Sequence, residues 1–241
     1  MSMKCVVLPA QLTEERLLSF YLAMEEWVAR HIDDEDDLFF MWQVEPSVIY
    51  GRNQVQENEV NVSYCQEHGI RMFQRKSGGG CVYADKGNVM LSYVTREENV
   101  GLAFNRFMGM MMLVLRSLGI EAVGTSHNDV LIDGRKVSGT ACYKLGGHCI
   151  VHGTLLYDTN MDHMLQAITP SSEKLQKKGI QSVRQRITFL KDYTSLGLDE
   201  VKKLIRDTLC VGERMLSPEE VAGIEQIEGQ YLKEDFIKHI Q

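Results

Sequence analysis

NDVLIDGRKVSGTACYKLGGHCIVHGTLLYD, Asn128–Asp158, reads as three strands joined by two tight turns. Asp133-Gly134 and Gly146-Gly147 are the residue pairs that supply the left-handed backbone of a two-residue hairpin, and each falls between β-rich runs. Strands are therefore predicted at Asn128–Ile132, Lys136–Tyr143 and Cys149–Tyr157. Upstream, further strands are predicted at Asp37–Gln43, Ser47–Gly51, Arg71–Lys76, Cys81–Ala84 and Asn88–Thr95, the last two joined by an ADKG turn.

Helical spacing brackets this region. One helix is predicted over Thr13–Arg30 with Thr13 as its N-cap, one over Asn58–His68 stopped by Gly69, and an apolar one over Leu102–Leu118. After Asn160 the pattern turns helical: Met161–Ile168, Ser172–Lys178, Leu198–Cys210 and Pro218–His239, the last opened by proline at its first position. A sheet-rich middle with helices at both ends is an α+β pattern. No repeat or linker divides it, so residues 1–241 are expected to form one domain whose part from about 160 onward is helical.

At 241 residues the chain can bury a full core, and 44% apolar with 24% charged residues is ordinary for a soluble globular protein. The net charge of −7 argues against a nucleic-acid partner, which clustered lysine and arginine would favour. No stretch approaches a membrane span or a signal peptide. Six scattered cysteines without metal-site spacing read as reduced thiols of a cytoplasmic protein.

Two motifs stand out. QRKSGGGCVYADKGN, Gln74–Asn88, places three glycines after a basic doublet, and GRKVSG, Gly134–Gly139, places Lys136 beside small residues. Neither a Rossmann nor a Walker spacing is present. Taken singly, the glycines make a tight turn or bulge, and GRKVSG makes an exposed hairpin. Taken together, they suit a backbone that approaches a phosphate or acyl chain, with Arg75 able to pair bidentately with a phosphate. Strand alternation puts Lys136 and Ser138 on one face, and Arg135 and Val137 on the other.

Six ordered segments, FYLAMEEWV, WQVEPSVIYGRNQ, RKSGGGCVYADKGN, SHNDVLIDGRKVSG, HGTLLYD and KKGIQSVRQRIT, resemble the lipoate–protein ligase A family from about Phe20 to Leu190. The resemblance implies a mixed β-sheet flanked by helices, the biotin/lipoyl protein ligase catalytic fold, related to class II aminoacyl-tRNA synthetases. It implies two half-reactions. Lipoate and ATP, with Mg²⁺, form lipoyl-AMP and pyrophosphate. A lysine of an apo lipoyl domain, in a 2-oxoacid dehydrogenase E2 subunit or the glycine cleavage H protein, then takes the lipoyl group.

By position, the resemblance makes Lys136 the catalytic lysine, contacting the lipoyl carbonyl and the α-phosphate. Arg75, Ser77, Gly78, Gly79 and Gly80 would line the lipoyl-AMP site, with Val82, Tyr83 and Asn88 beyond them. Ser138, Gly139, His152, Gly153 and Thr154 would complete it. Asn128, Asp129 and Asp85 would sit at the nucleotide end, Asp129 holding Mg²⁺. The stretch containing Lys178, Gly179, Ser182 and Arg184 would close over the adenylate and exclude water from a hydrolysable anhydride.

The chain departs from the family pattern at Gln74, Ala84 and His127. By the same resemblance the chain, ending at Gln241, is expected to lack the small C-terminal domain of longer relatives, which would call for a separate accessory subunit for adenylation, or for transfer of a pre-activated lipoyl or octanoyl group. Transferases of that kind use a cysteine before the lysine motif, where Glu121–Ser126 holds none.

Overall fold

The computed structural model describes residues 2–12, 15–126, 128–168 and 186–233. In chain order its elements are β1 (Met3–Val7), α1 (Leu18–His31), β2 (Asp37–Trp42), β3 (Ser47–Tyr50), α2 (Gln56–Glu59), α3 (Val62–Glu67), β4 (Arg71–Gln74), β5 (Val82–Ala84) and β6 (Asn88–Thr95). There follow α4 (Val100–Ser117), β7 (Val123–Gly124), β8 (Asp129–Ile132), β9 (Arg135–Leu145), β10 (His148–Leu156), α5 (Met161–Ala167), α6 (Leu198–Leu209), β11 (Gly212–Met215) and α7 (Pro218–Tyr231). Two sheets result: an eight-stranded one in the order β11-β1-β2-β6-β10-β9-β8-β7, and a three-stranded one in the order β4-β3-β5.

The large sheet is mixed. Its β11-β1-β2 end is parallel and the rest antiparallel. Both faces of its central strands are covered, so alternate residues serve two cores. Phe40, Trp42, Met90, Val94 and Ile150 pack with α1 and α7, while Phe39, Leu91, Tyr93, Val151 and Leu155 pack with α4 and α6. A third cluster, built on Val48, Cys65, Tyr83 and Met164, joins the small sheet to α3 and α5. The fold is α+β, mixed sheets flanked by helices.

Both glycine hairpins have the geometry that their sequence demands. Asp133 and Gly134 have φ of 49° and 73°, Gly146 and Gly147 of 58° and 80°, the left-handed pairs that match strand twist. Ser217 caps α7 through a capping box with Glu220, and Pro218 opens the helix.

Other expectations need correction. Helix α1 begins at Leu18, because Leu17 is extended and caps without a side-chain bond, and Thr13 lies outside the described residues. The helix predicted over Asn58–His68 is two short helices, because Val60 is extended and Asn61 restarts the chain by accepting from Tyr64 N at 3.2 Å. Strands β1 and β11 were not predicted, and β11 interrupts the helical C-terminal part. Ser172–Lys178, and the end of the helix predicted to His239, fall outside the described residues.

Candidate active site

A row of residues crosses five strands of the large sheet. Trp42 on β2 is opposite Met90 on β6, Met90 is opposite Thr154 on β10, Thr154 is opposite Gly139 on β9, and Gly139 is opposite Asp129 on β8. Neighbouring strands lie about 4.8 Å apart, so the row extends roughly 19 Å across the sheet. It floors a cavity of about 360 Å³ on the α1 face. Leu22 of α1, Ile49 of β3 and Val82 of β5 add apolar wall near Trp42 and Met90, and Gly79, Gly80 and Cys81 form the rim. The cavity thus grades from apolar at β2 to charged at β8.

The charged end depends on a bulge. Leu131 pairs with Lys136 but Val130 pairs with Ser138, leaving Val137 as the extra residue of β9. Val137 and Ser138 are both fully buried, and Ser138 is opposite Leu155 in the α4-side core. The bulge therefore breaks the alternation expected from the sequence: Lys136 shares its face with Gly139, and Ser138 turns away from the cavity. Lys136 Nζ donates to Asp129 Oδ1 at 2.8 Å, with the two side chains 38% and 29% exposed. Gly139 makes room for this ammonium, since a Cβ there would stand 2.6 Å from both Cε and Nζ of Lys136.

Asn128 lines the same end with φ of 64°, a left-handed conformation that asparagine tolerates better than most residues. Thr125 holds this turn, its Oγ1 accepting from Asp129 N at 3.2 Å and its N–H donating to Asp129 O at 2.9 Å.

Arg75 lies under the glycine rim. Its Nε donates to Ser77 Oγ (2.9 Å) and Gly78 O (3.2 Å), Nη1 to Ile49 O (3.1 Å), and Nη2 to Gly78 O and Gly80 O (both 2.7 Å). Burial lowers its pKa to about 10, leaving it charged at neutral pH. The bidentate phosphate contact expected of Arg75 is not its geometry. The guanidinium lines the cavity but spends its donors on the carbonyls that shape the rim. Gly79 takes φ of 90°, and its carbonyl oxygen would stand 2.3 Å from a Cβ on Gly51. Gly51→Ala is expected to cost about 2–3 kcal/mol by overpacking against backbone, and urea unfolding measures it.

Ser77 is fully buried behind the rim, where its Oγ lies 2.7 Å from His152 Nε2. His152 Nδ1 lies 3.0 Å from Glu25 Oε2, and Ser92 Oγ donates to Glu25 Oε1 at 2.6 Å while accepting from Trp42 Nε1 at 3.0 Å. A carboxylate only accepts, so His152 Nδ1 donates to Glu25; Arg75 Nε donates to Ser77 Oγ, and Ser77 and His152 Nε2 share the bond between them. The Ser77–His152–Glu25 sequence has the connectivity of a hydrolytic triad. Ser77 is nevertheless inaccessible and already accepts from Arg75, so it holds the rim and does not attack.

Arg75, Gly79, Gly80, Val82, Asn128, Asp129, Lys136, Gly139, His152, Gly153 and Thr154 are brought together around the cavity. Gly78, Ser77 and Ser138 stand behind it. Tyr83 and Asn88 form a separate pair, Asn88 Nδ2 donating to Tyr83 O at 3.0 Å. Asp85, expected at the nucleotide end, instead fastens the β5–β6 turn to the chain after β10. It accepts from Gly87 N (2.9 Å), Thr159 Oγ1 (2.7 Å) and Asn160 N (2.8 Å). Lys178, Gly179, Ser182 and Arg184 lie outside the described residues. Leu22, Trp42, Ile49, Cys81, Met90, Thr140 and Ala141 also line the cavity, and Glu25 stands behind it, without having been singled out. Only the resemblance of FYLAMEEWV and WQVEPSVIYGRNQ could have drawn attention to Leu22, Glu25, Trp42 and Ile49.

The family model for the lipoyl protein ligase A/B catalytic domain matches residues 18–210, and the chain belongs to that family. It is 36% identical over 173 residues to the lipoate-protein ligase LplJ of Bacillus subtilis, covering 71% of this chain and 52% of that protein. The chain spans between about half and two thirds of the length of the curated relatives it matches. A bi-partite lipoate protein ligase from Thermoplasma acidophilum has the same fold, with a TM-score of 0.87 at 24% identity over 100% of this chain and 98% of that one. A lipoate-protein ligase A crystallised with ATP superposes with a TM-score of 0.81 at 22% identity, covering each chain completely.

Proposed function

We propose that this chain is the catalytic part of an ATP-dependent lipoate–protein ligase. The observation that carries the reading is the row across the sheet, apolar at Trp42 and Met90 and charged at Asp129 and Lys136. An acyl chain lying along it would place its carboxyl group beside the Lys136 ammonium, where negative charge develops during both formation and attack of an acyl-adenylate. The curated names of its relatives and the ATP-bound neighbour support the same substrates.

Asn128 and Asp129 supply one amide and one carboxylate. That donor set suits Mg²⁺ carried in on nucleotide phosphates, which needs one or two carboxylates and keeps much of its water. No group of three or more potential metal ligands converges among the described residues. The ion would neutralise phosphate charge; Lys136 orients the acyl carboxylate, and the apolar wall excludes water. The acceptor is a lysine of an apo lipoyl domain, in 2-oxoacid dehydrogenase E2 subunits or the glycine cleavage H protein.

Transfer through a cysteine thioester is disfavoured by the thiols present. Cys81 lines the cavity, and burial pushes its pKa up to about 12, as it does that of Cys142 on β9. Neither thiol is a ready nucleophile. Cys81→Ser is expected to retain ligation within about threefold, as initial rates of lipoyl-domain modification would show; loss of activity would favour a thioester route.

The decisive assay supplies lipoate, Mg-ATP and an apo lipoyl domain to the purified chain, with lipoyl-AMP replacing lipoate and ATP in parallel. Pyrophosphate release and a lipoyl mass increment on the domain are expected. Modification from lipoyl-AMP alone would instead make the chain one part of a two-part ligase, the arrangement for which the archaeal neighbour is called bi-partite. Modification in neither arm sinks the reading.

A further inference from the structure

Helix α1 presents two consecutive buried carboxylates, Glu25 and Glu26, 0% and 3% exposed. Glu25 reaches the glycine rim through His152 and Ser77. Glu26 points to the other side and serves a different set of partners. Lys76, the residue between Arg75 and Ser77, forms an ion pair with Glu26, and the phenol of Tyr231 donates to the same carboxylate. The Lys76 ammonium also lies 5.2 Å from the centre of the Tyr231 ring, within cation–π range. Tyr231 is the last residue of α7. The start of the glycine rim is thus bonded, through one buried carboxylate, to the end of the C-terminal helix.

This connection is separable from the rest of the helix–helix contact. Ser19 Oγ donates to Glu228 Oε1 at 2.7 Å, Arg16 pairs with Glu225, and Gly223 lies against the Trp27 indole, where a Cβ would stand 2.2 Å from the ring. None of these contacts touches Lys76 or the rim. Burial raises the Tyr231 phenol well above its ordinary pKa, so it remains a donor throughout the neutral range.

We infer that Tyr231 is a positioning residue for the acyl cavity, acting through Glu26 and Lys76 to fix the glycine rim on its ligand. Glu26 Oε1 has two donors to share, Lys76 and Tyr231, while Arg30 Nε stands 3.9 Å from Oε2. With both in place the carboxylate is held between α7 and the rim, and Lys76 is fixed from its carboxylate side and its ring side together. Without the phenol, Glu26 can follow Lys76 outward, and the rim loses one of its two anchors on α1. The inference rests on the lipoate-binding reading of the cavity.

The test measures lipoate affinity by calorimetry and thermal stability on the same preparations of wild type, Tyr231→Phe, Lys76→Met, the double variant and Ser19→Ala. Tyr231→Phe is expected to weaken lipoate binding about tenfold, the scale of one charge-assisted hydrogen bond. The double variant should bind no more weakly than Lys76→Met, because both changes act through Glu26. Ser19→Ala, which loosens the same helix pair away from the rim, should lower the melting temperature and leave lipoate affinity unchanged. If Tyr231→Phe lowers the melting temperature but binds lipoate as wild type does, Tyr231 is merely structural and the inference falls. If Ser19→Ala weakens binding equally, general helix docking is responsible and the inference also falls. If wild type itself binds no lipoate, the reading of the cavity fails first and takes the inference with it.

Discussion

Lys136→Ala is expected to give a folded chain whose ligation rate has dropped by about 10²–10³-fold, the range seen when one preorganised electrostatic group is removed from a transition state. Stability should scarcely change. The Lys136–Asp129 pair is about one-third exposed, and pairs of that kind contribute roughly 0–1 kcal/mol. A urea midpoint near that of wild type, alongside a collapsed rate of lipoyl-domain modification, is the expected combination. Single-turnover measurements with preformed lipoyl-AMP would separate the half-reactions, and a loss in both is expected because the proposed placement sets the ammonium beside the acyl carboxyl group in each. Wild-type rates in the variant would remove Lys136 from the mechanism.

Gly139→Ala should produce nearly the same loss by displacing the lysine instead of deleting it. The added Cβ would stand 2.6 Å from Cε and Nζ of Lys136, the far end of a flexible side chain. Such a chain moves aside at little cost, so the fold tolerates the methyl group while the ammonium leaves its place. A displacement of about 1 Å costs on the order of 10²-fold in rate. The variant should therefore melt within a few degrees of wild type and ligate about a hundredfold more slowly. The contrast with Gly51→Ala is instructive. There the obstacle is the backbone oxygen of Gly79, which has no such freedom, and the expected loss is in stability.

Much of this architecture was legible in the chain. The hairpins over Asn128–Asp158 follow from Asp-Gly and Gly-Gly turns, and the start of α7 follows from proline at its first position. Strands β1 and β11 were not legible, because MKCVV is a short apolar run at the N-terminus and GERM has no strand-like composition. Their pairing, Lys4 with Gly212 through Val7 with Met215, is a tertiary event. The site was legible where glycine and lysine are forced by close approach, as at Gly79, Gly139 and Lys136. It was not where a residue's role depends on long-range partners. The resemblance put Asp85 at the nucleotide end, but its carboxylate is claimed by Thr159 and Asn160, 74 and 75 residues downstream. Arg75 looked like a phosphate ligand, but five carbonyl and hydroxyl contacts give it to the rim. Glu25 was not singled out, because its partners Ser92 and His152 lie 67 and 127 residues away.

The extra residue in β9 gives the strand two phases. Before Val137 the even-numbered Lys136 looks toward the α1 side; after it the odd-numbered Gly139 and Ala141 do. The cation and the gap that receives it therefore belong to opposite frames of one strand, joined at a fixed interval of three residues. Pairing Val137 in regular step, with no residue of the strand lost, would swing the ammonium to the far side of the sheet, whereas deleting Val137 would remove the bulge and leave Lys136 on the α1 side. Spacing, as much as chemical identity, is what this short segment has to inherit.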